Sequence, residues 1–260
     1  MLDAERPDLV VLTGDFIEGG RSADPVATWL EAVEPFERRG LPWAAVFGNH
    51  DDEGSATRED LLAAQLGRAG CLTERGPRSV TGVGNFTLDV LGAGDFVARL
   101  YFFDSGSYAT NGPGEYAWIA HEQVCWYREQ ASAARRPALA LAFLHIPLPE
   151  YETAWAAGEA VGSRGEEVCC PALNSGLFAA FHETGDVLGA FCGHDHLNDF
   201  EAPLHGIRLC YGRATGYNCY PETGFARGLR IIELTEGVRG FDTWLRLDGD
   251  ELQAVRLRPR

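Results

Sequence analysis

The segment DVLGAFCGHDH, residues 186–196, decides the fold. Its opening residues form an apolar run of the length and kind that reads as a buried strand. Gly193 ends the run, and two imidazoles, His194 and His196, follow one residue apart. The chain has 7 histidines, so two at one strand end call for a chemical reason. Three further stretches have the same shape. PDLVVLTGD (7–15) ends in Asp15, PWAAVFGNHD (42–51) in Asn49, His50 and Asp51, and ALALAFLHIPLPEY (138–151) passes through His145. In each, an apolar strand runs directly into a polar side chain on a loop containing Gly or Pro.

Helical patterns alternate with these strands. DPVATWLEAVEPFERRG (24–40) is amphipathic, with Asp24 as N-cap, Gly40 as stop and Pro35 as a candidate kink. TREDLLAAQLGRAG (57–70) opens on Thr57 as N-cap, and SGLFAAFHETG (175–185) on Ser175. EYAWIAHEQVCWYREQASAARRP (115–137) reads as one long helix, with Trp118, Trp126 and Tyr127 as core packing. NFTLDVLG and VARLYFFDSG read as an antiparallel pair, IRLCYG and LRIIEL as further strands, and TWLRLDGDELQAVRLR as a terminal hairpin turning at Asp248–Asp250. Strand–helix alternation followed by strands predicts an α/β protein, its sheets covered outside by helices. A wholly apolar strand such as ALALAFL implies burial on both faces.

At 260 residues, 45% hydrophobic and 23% charged, the chain fits one domain, 1–260, with a sizeable core. The net charge is −16 and every basic residue is Arg. That balance argues against nucleic-acid or anionic-membrane partners, but admits a small phosphorylated substrate where metal cations supply local positive charge. No apolar run is long enough to span a bilayer, and the opening MLDAERPD is charged from its third residue. The 7 cysteines have no zinc-finger spacing, and several, in apolar runs such as GAFC and RLC, read as small buried hydrophobes. A reducing cytoplasm is the default expectation, with oligomeric state open.

Asp15, Asn49, His145, His194 and His196 thus lie at four strand ends, where open α/β sheets gather their ligands. The mixed oxygen and nitrogen set suits Zn, Mn or Fe, not Ca. A carboxylate has two oxygens, so Asp15 can bridge two cations. In an extended segment, residues i and i+2 point the same way. On a Gly-led turn, His194 and His196 could each hold one ion of a pair about 3.5–4 Å apart. A metal-bound hydroxide would then attack phosphorus. His50, oriented by Asp51, is the candidate general acid towards the leaving alkoxide. Arg164, Arg213 and Tyr217, on Gly-rich loops flanking the last motifs, are candidate substrate contacts. His121, His182 and His205 read as non-ligands, and Glu152, Glu159, Glu166 and Glu167 as a solvated face.

The ordered set GD, GNHD, H and GHDH resembles the calcineurin-like metallophosphoesterase superfamily. AERPDLVVLTGDFI, PWAAVFGNHDDE, LYFFDSGSY and FLHIPLPEY resemble its branch of plant proteins labelled inactive purple acid phosphatases and their fungal and bacterial relatives, from about residue 2 to about residue 235. The resemblance implies a two-sheet sandwich flanked by helices (αββα) and a dinuclear centre. Asp15 would bridge the metals, Asn49, His145 and His194 would bind the second and His196 the first, and His50 would contact phosphate or leaving group. The expected function is metal-dependent hydrolysis of a phosphomonoester or phosphodiester. Two departures qualify it. Such proteins begin with an Asp-x-His motif ahead of TGD, and none precedes Asp15 here. The fold is therefore expected to lack its first strand, with the first metal site depleted. A truncated start would leave export open; a natural loss would give a catalytically impaired or inactive phosphate- or metal-binding relative. Purple acid phosphatases also carry a Tyr soon after the GD Asp, whereas Phe16, Ile17 and Glu18 follow Asp15, so no purple charge-transfer centre is expected.

Overall fold

A computed structural model describes residues 1–93, 96–133, 139–220, 224–248 and 252–253. A six-stranded mixed sheet forms its centre. In spatial order it holds β3 (Phe86–Leu91), β4 (Phe96–Phe102), β5 (Leu139–Phe143), β6 (Val187–Cys192), β8 (Ile207–Tyr211) and β7 (Glu201–Leu204). The β4–β5–β6–β8 block is parallel, and the outer strands β3 and β7 are antiparallel to their neighbours. Two smaller sheets pair β1 (Val10–Thr13) in parallel with β2 (Trp43–Val46), and join β9 (Gly228–Leu234), β10 (Phe241–Leu247) and β11 (Leu252–Gln253) antiparallel.

Side-chain alternation assigns the layers. On β4 and β5, Tyr101, Ala140 and Ala142 face one way, against α4 (His121–Ala133), α5 (Glu150–Ala156) and α6 (Leu177–Thr184) through Trp126, Tyr127, Tyr151 and Phe181. Leu100, Phe102, Leu141 and Phe143 face the other way, into a core shared with Ala44 and Val46 of β2 and Ile232, Leu234 and Phe241 of the three-stranded sheet. The far face of β2, Trp43 and Ala45, packs on Trp29, Val33, Leu61 and Leu62 of α2 (Pro25–Glu37) and α3 (Arg58–Gln65). The result is helices, large sheet, small sheets and helices: the expected αββα order, which follows from period-2 alternation on doubly covered strands.

Most expected elements are present. Asp24 caps α2 by accepting from the Ala27 N–H, and Thr57 closes a capping box with Asp60 on α3. MLDAER contains the short helix α1 (Leu2–Glu5). Differences have local causes. The long helix begins only at His121, so Trp118 lies outside it; the N–H groups of Ala109 and Ala117 instead pair with Glu115 and Ser107 in a hairpin-like loop. The N-cap of α6 is Gly176 in the left-handed region, not Ser175. β1 is half-buried throughout, not buried, because it pairs on one side only among the described residues. α5 and β7 were not anticipated. Residues 249–250 of the terminal turn and 134–137 of the long helical pattern lie outside the described residues.

Candidate metal centre

His145, fully buried just past β5, is the middle of the site. Its Nδ1 lies 2.7 Å from the Thr13 carbonyl oxygen, which can only accept, so Nδ1 carries the hydrogen and a neutral ring offers a lone pair at Nε2. Asn49 Oδ1, Asp15 Oδ2 and His194 Nδ1 each stand 3.1 Å from that nitrogen. His196 Nε2 lies 3.8 Å from Asp15 Oδ2. One carboxylate oxygen, Asp15 Oδ1, accepts from the His50 N–H at 2.8 Å, whereas Oδ2 is buried without an aligned hydrogen bond. Donor atoms of Asp15, His145 and His194 all fall within 4.8 Å of one another.

The backbone is bent to bring them there. Asp15 (φ 51°) and His194 (φ 72°) are two of four described non-glycine residues with positive φ. Such conformations cost about 1–3 kcal/mol each and persist where surrounding structure enforces them. Gly48 permits the close approach, since a Cβ there would meet Asp15 Oδ1 at 2.1 Å. Asp195, between the two histidines, turns into the protein, accepts from the Tyr211 hydroxyl, and is raised to about 6 chiefly by burial. On this bent segment His194 reaches His145 and His196 faces Asp15, while the Asp195 carboxylate turns away to Tyr211.

The electrostatics suit a cation. Burial alone would raise the Asp15 carboxyl, but the neighbouring His145 and His196 imidazoles hold it well below the usual range. Burial works against a proton on His145, and Asp15 outweighs it, raising that imidazole. Burial and neighbouring His145 push His194 down to about 3, leaving it in the neutral form that metals bind. Acceptor atoms facing one another near 3 Å repel unless a proton or cation stands among them. A histidine fixed through its other nitrogen by a backbone carbonyl is the usual arrangement of a ligand. On these grounds the residues fit a transition-metal ion.

Asp51 does not orient His50. Its carboxylate accepts from the N–H groups of Asp15 (2.9 Å), Phe16 (2.8 Å), Ile17 (3.0 Å) and Gly48 (2.7 Å), knitting two ligand-bearing loops together. The carboxylate beside His50 is Glu53, with Oε1 2.9 Å from Nδ1. His50 titrates higher than usual: burial opposes this, but Glu53 and Asp15 prevail. The proposed substrate arms have other partners. Arg164 pairs with Glu152 at 2.7 Å, Arg213 pairs with Asp199 and covers the Phe225 ring at 3.5 Å, and the Tyr217 hydroxyl donates to Asp248. Glu166 is not merely a solvated carboxylate, since it accepts from the Leu197 N–H at 2.6 Å and from the Tyr220 hydroxyl.

Sequence reasoning passed over a ring of tyrosines. Tyr116 meets His194 edge-on at 4.4 Å, Tyr220 stacks on His196 at 4.6 Å, and the Tyr108 hydroxyl contacts both Asn49 and Glu53. Tyr108 lies in the DSGSY stretch, whose place after a strand was the available signal. Arg58 was also missed. Its buried guanidinium donates to the carbonyls of Gly48 (2.8 Å) and Gly106 (2.9 Å) and pairs with Asp52 and Asp104, fastening the loops after β2 and β4 to each other.

Residues 1–198 match the family described as calcineurin-like phosphoesterase. The chain is 34% identical over 286 residues to "Probable inactive purple acid phosphatase 28" of Arabidopsis thaliana, spanning 98% of this chain and 72% of that protein. It is 38% identical over 274 residues to "Phosphatase DCR2" of Saccharomyces cerevisiae, spanning 96% of this chain and 47% of that one. A dimetal phosphatase from Danio rerio superposes with a TM-score of 0.58 over 93% of this chain and 85% of its own, at 15% identity, a likeness of fold. With the family match covering three quarters of its length and His145, His194, His196, Asp15 and Asn49 gathered at the strand ends, the chain belongs to the calcineurin-like phosphoesterase family.

Proposed function

We propose that this protein is a metal-dependent phosphoesterase acting on a small phosphomonoester or phosphodiester. The observation that carries the reading is the buried, unpartnered Asp15 Oδ2 facing His145 and His196, with Asn49 and His194 completing the surround of His145 Nε2. Asn49, His145 and His194 would hold one transition-metal ion (Fe, Mn or Zn) and His196 a second, with Asp15 between them. Bound ions of this kind act as Lewis acids on phosphoryl oxygens and activate water. The chain's own residues do the rest. His50, half-exposed beside Glu53, is placed to donate a proton to the departing oxygen. The family match supports hydrolysis at phosphoric esters.

A second reading, a metal-binding relative with impaired or no turnover, is favoured by two observations. Relatives at 34% and 36% identity bear the word inactive in their names, and the described residues gather one group of three charged or imidazole ligands. One experiment separates the two. Metal content by mass spectrometry is measured alongside p-nitrophenyl phosphate turnover, for the wild type and Asp15→Asn. Two transition ions with turnover, both lost in the variant, support the enzyme. One weakly held ion without turnover supports the second reading, and full activity in Asp15→Asn would remove Asp15 from the site.

A further inference from the structure

The amide of Asn49 has two orientations, and the structure contains a device that selects one. The Asn49 side chain is buried between His145 Nε2, 3.1 Å from Oδ1, and the Tyr108 hydroxyl, 3.0 Å from Nδ2. In the deprotonated form that a metal binds, with Nδ1 of His145 donating to Thr13, Nε2 offers only a lone pair. Left to itself, the amide would turn its NH2 towards that lone pair and gain a hydrogen bond. An NH2 group there repels a cation, so the orientation that satisfies the protein alone is the wrong one for a metal.

We propose that Glu53 and Tyr108 act as a positioning pair that locks Asn49 with its oxygen towards the metal, and so set metal affinity. The logic is one of hydrogen-bond polarity. An ionised carboxylate only accepts, and a tyrosine hydroxyl has one hydrogen. Tyr108 gives that hydrogen to Glu53 Oε1 at 2.7 Å. Its oxygen is then left to accept, and the group that faces it must donate, so Asn49 must present Nδ2 to Tyr108 and Oδ1 to the cluster. Tyr108 is itself held firmly. It lies on a hairpin-like loop where it bridges to Tyr116, next to Gly106, whose carbonyl accepts from Arg58 at 2.9 Å. The same Glu53 oxygen touches His50 Nδ1, so one carboxylate serves both the candidate ligand and the candidate acid.

This inference rests on the metal-dependent reading above, and its test reads metal binding, not turnover. The dissociation constant for Mn2+ or Zn2+ is measured by calorimetry for the wild type, Tyr108→Phe and Glu53→Gln. Partners of this kind are typically worth about 10–100-fold in affinity, and Tyr108→Phe should weaken binding within that range. Glu53→Gln should weaken it too, because an amide can donate to Tyr108 and release the polarity. Asn49→Asp supplies a carboxylate with no wrong end, so adding Tyr108→Phe in that background should change little. Equal affinity in wild type and Tyr108→Phe would overturn the pairing. So would the same loss in the Asn49→Asp background, which would mark Tyr108 as packing only. A wild type that binds neither metal would overturn the underlying metal reading, and this inference with it. Should Tyr108→Phe fail to fold, Glu53→Gln decides alone.

Discussion

His50 and Asp51 are adjacent in sequence and opposite in role. His50 opens to solvent beside Glu53, whereas Asp51 turns inward onto four backbone N–H groups. For His50→Ala, turnover of esters with poor leaving groups should fall by about 10²-fold or more, and esters with good leaving groups should lose less, since positioned acids contribute about 10²–10⁴-fold where protonation is needed. Equal losses across a leaving-group series would end the general-acid role. Asp51→Ala belongs to a different class. It strands several buried donors at about 1–3 kcal/mol each, so it should lower stability by more than about 3 kcal/mol in denaturant melts. A near-neutral melt would show that water replaces the carboxylate.

At the scale of elements, the helices report how far local chemistry reaches. Thr57 and Asp60 form a reciprocal cap on α3, and the same first turn carries Arg58 into the protein between two ligand-bearing loops. Thr57→Ala should cost about 1 kcal/mol, the usual value of an N-cap. Arg58→Ala should cost more, because it leaves Asp104 buried without its partner. A melt series in which the two variants are equal would mean that Arg58 contributes only as the first residue of a helix. Both elements were legible from their residues, but the reach of Arg58 to Gly106 was not, since the contact spans 48 positions and depends on how β2 and β4 are juxtaposed.

At the scale of the whole molecule, several tyrosines lie in the layer between the large sheet and its helices. Burial pushes Tyr101, Tyr127 and Tyr151 upward, and Asp186 adds to the effect on the first two. A raised folded value stabilises the protein fully below the unfolded range, about 10, and that contribution is lost as pH rises through the folded values. Melting temperature should therefore begin to fall near pH 10, with phenolate absorbance appearing only as the chain unfolds. Tyr151→Phe should flatten that slope, since the Tyr151 hydroxyl donates to the Ala190 carbonyl in the core. Phenolate appearing well before unfolding would show these side chains to be accessible. No helix among the described residues is long and apolar enough to cross a membrane.

The sequence by itself determined the strand ends and what stands on them. Apolar runs of strand length, bounded by Gly or Pro and joined to Asp, Asn or His, are local patterns, and with the helical patterns between them they predicted an α/β protein with helices outside its sheets; the two-sheet αββα layering was implied by the family resemblance alone. Only the tertiary structure decided which carboxylate serves which histidine. Asp51 and Glu53 are two residues apart on one acidic loop, and composition cannot rank them. The loop folds back so that four N–H groups converge on Asp51 and Glu53 is left beside His50. The polarity of Asn49 was equally hidden, because it depends on a hydroxyl brought in from 59 residues away. Local propensity acts over a few residues, whereas hydrogen-bond partners in a buried site are set by which loops the packed sheets bring face to face.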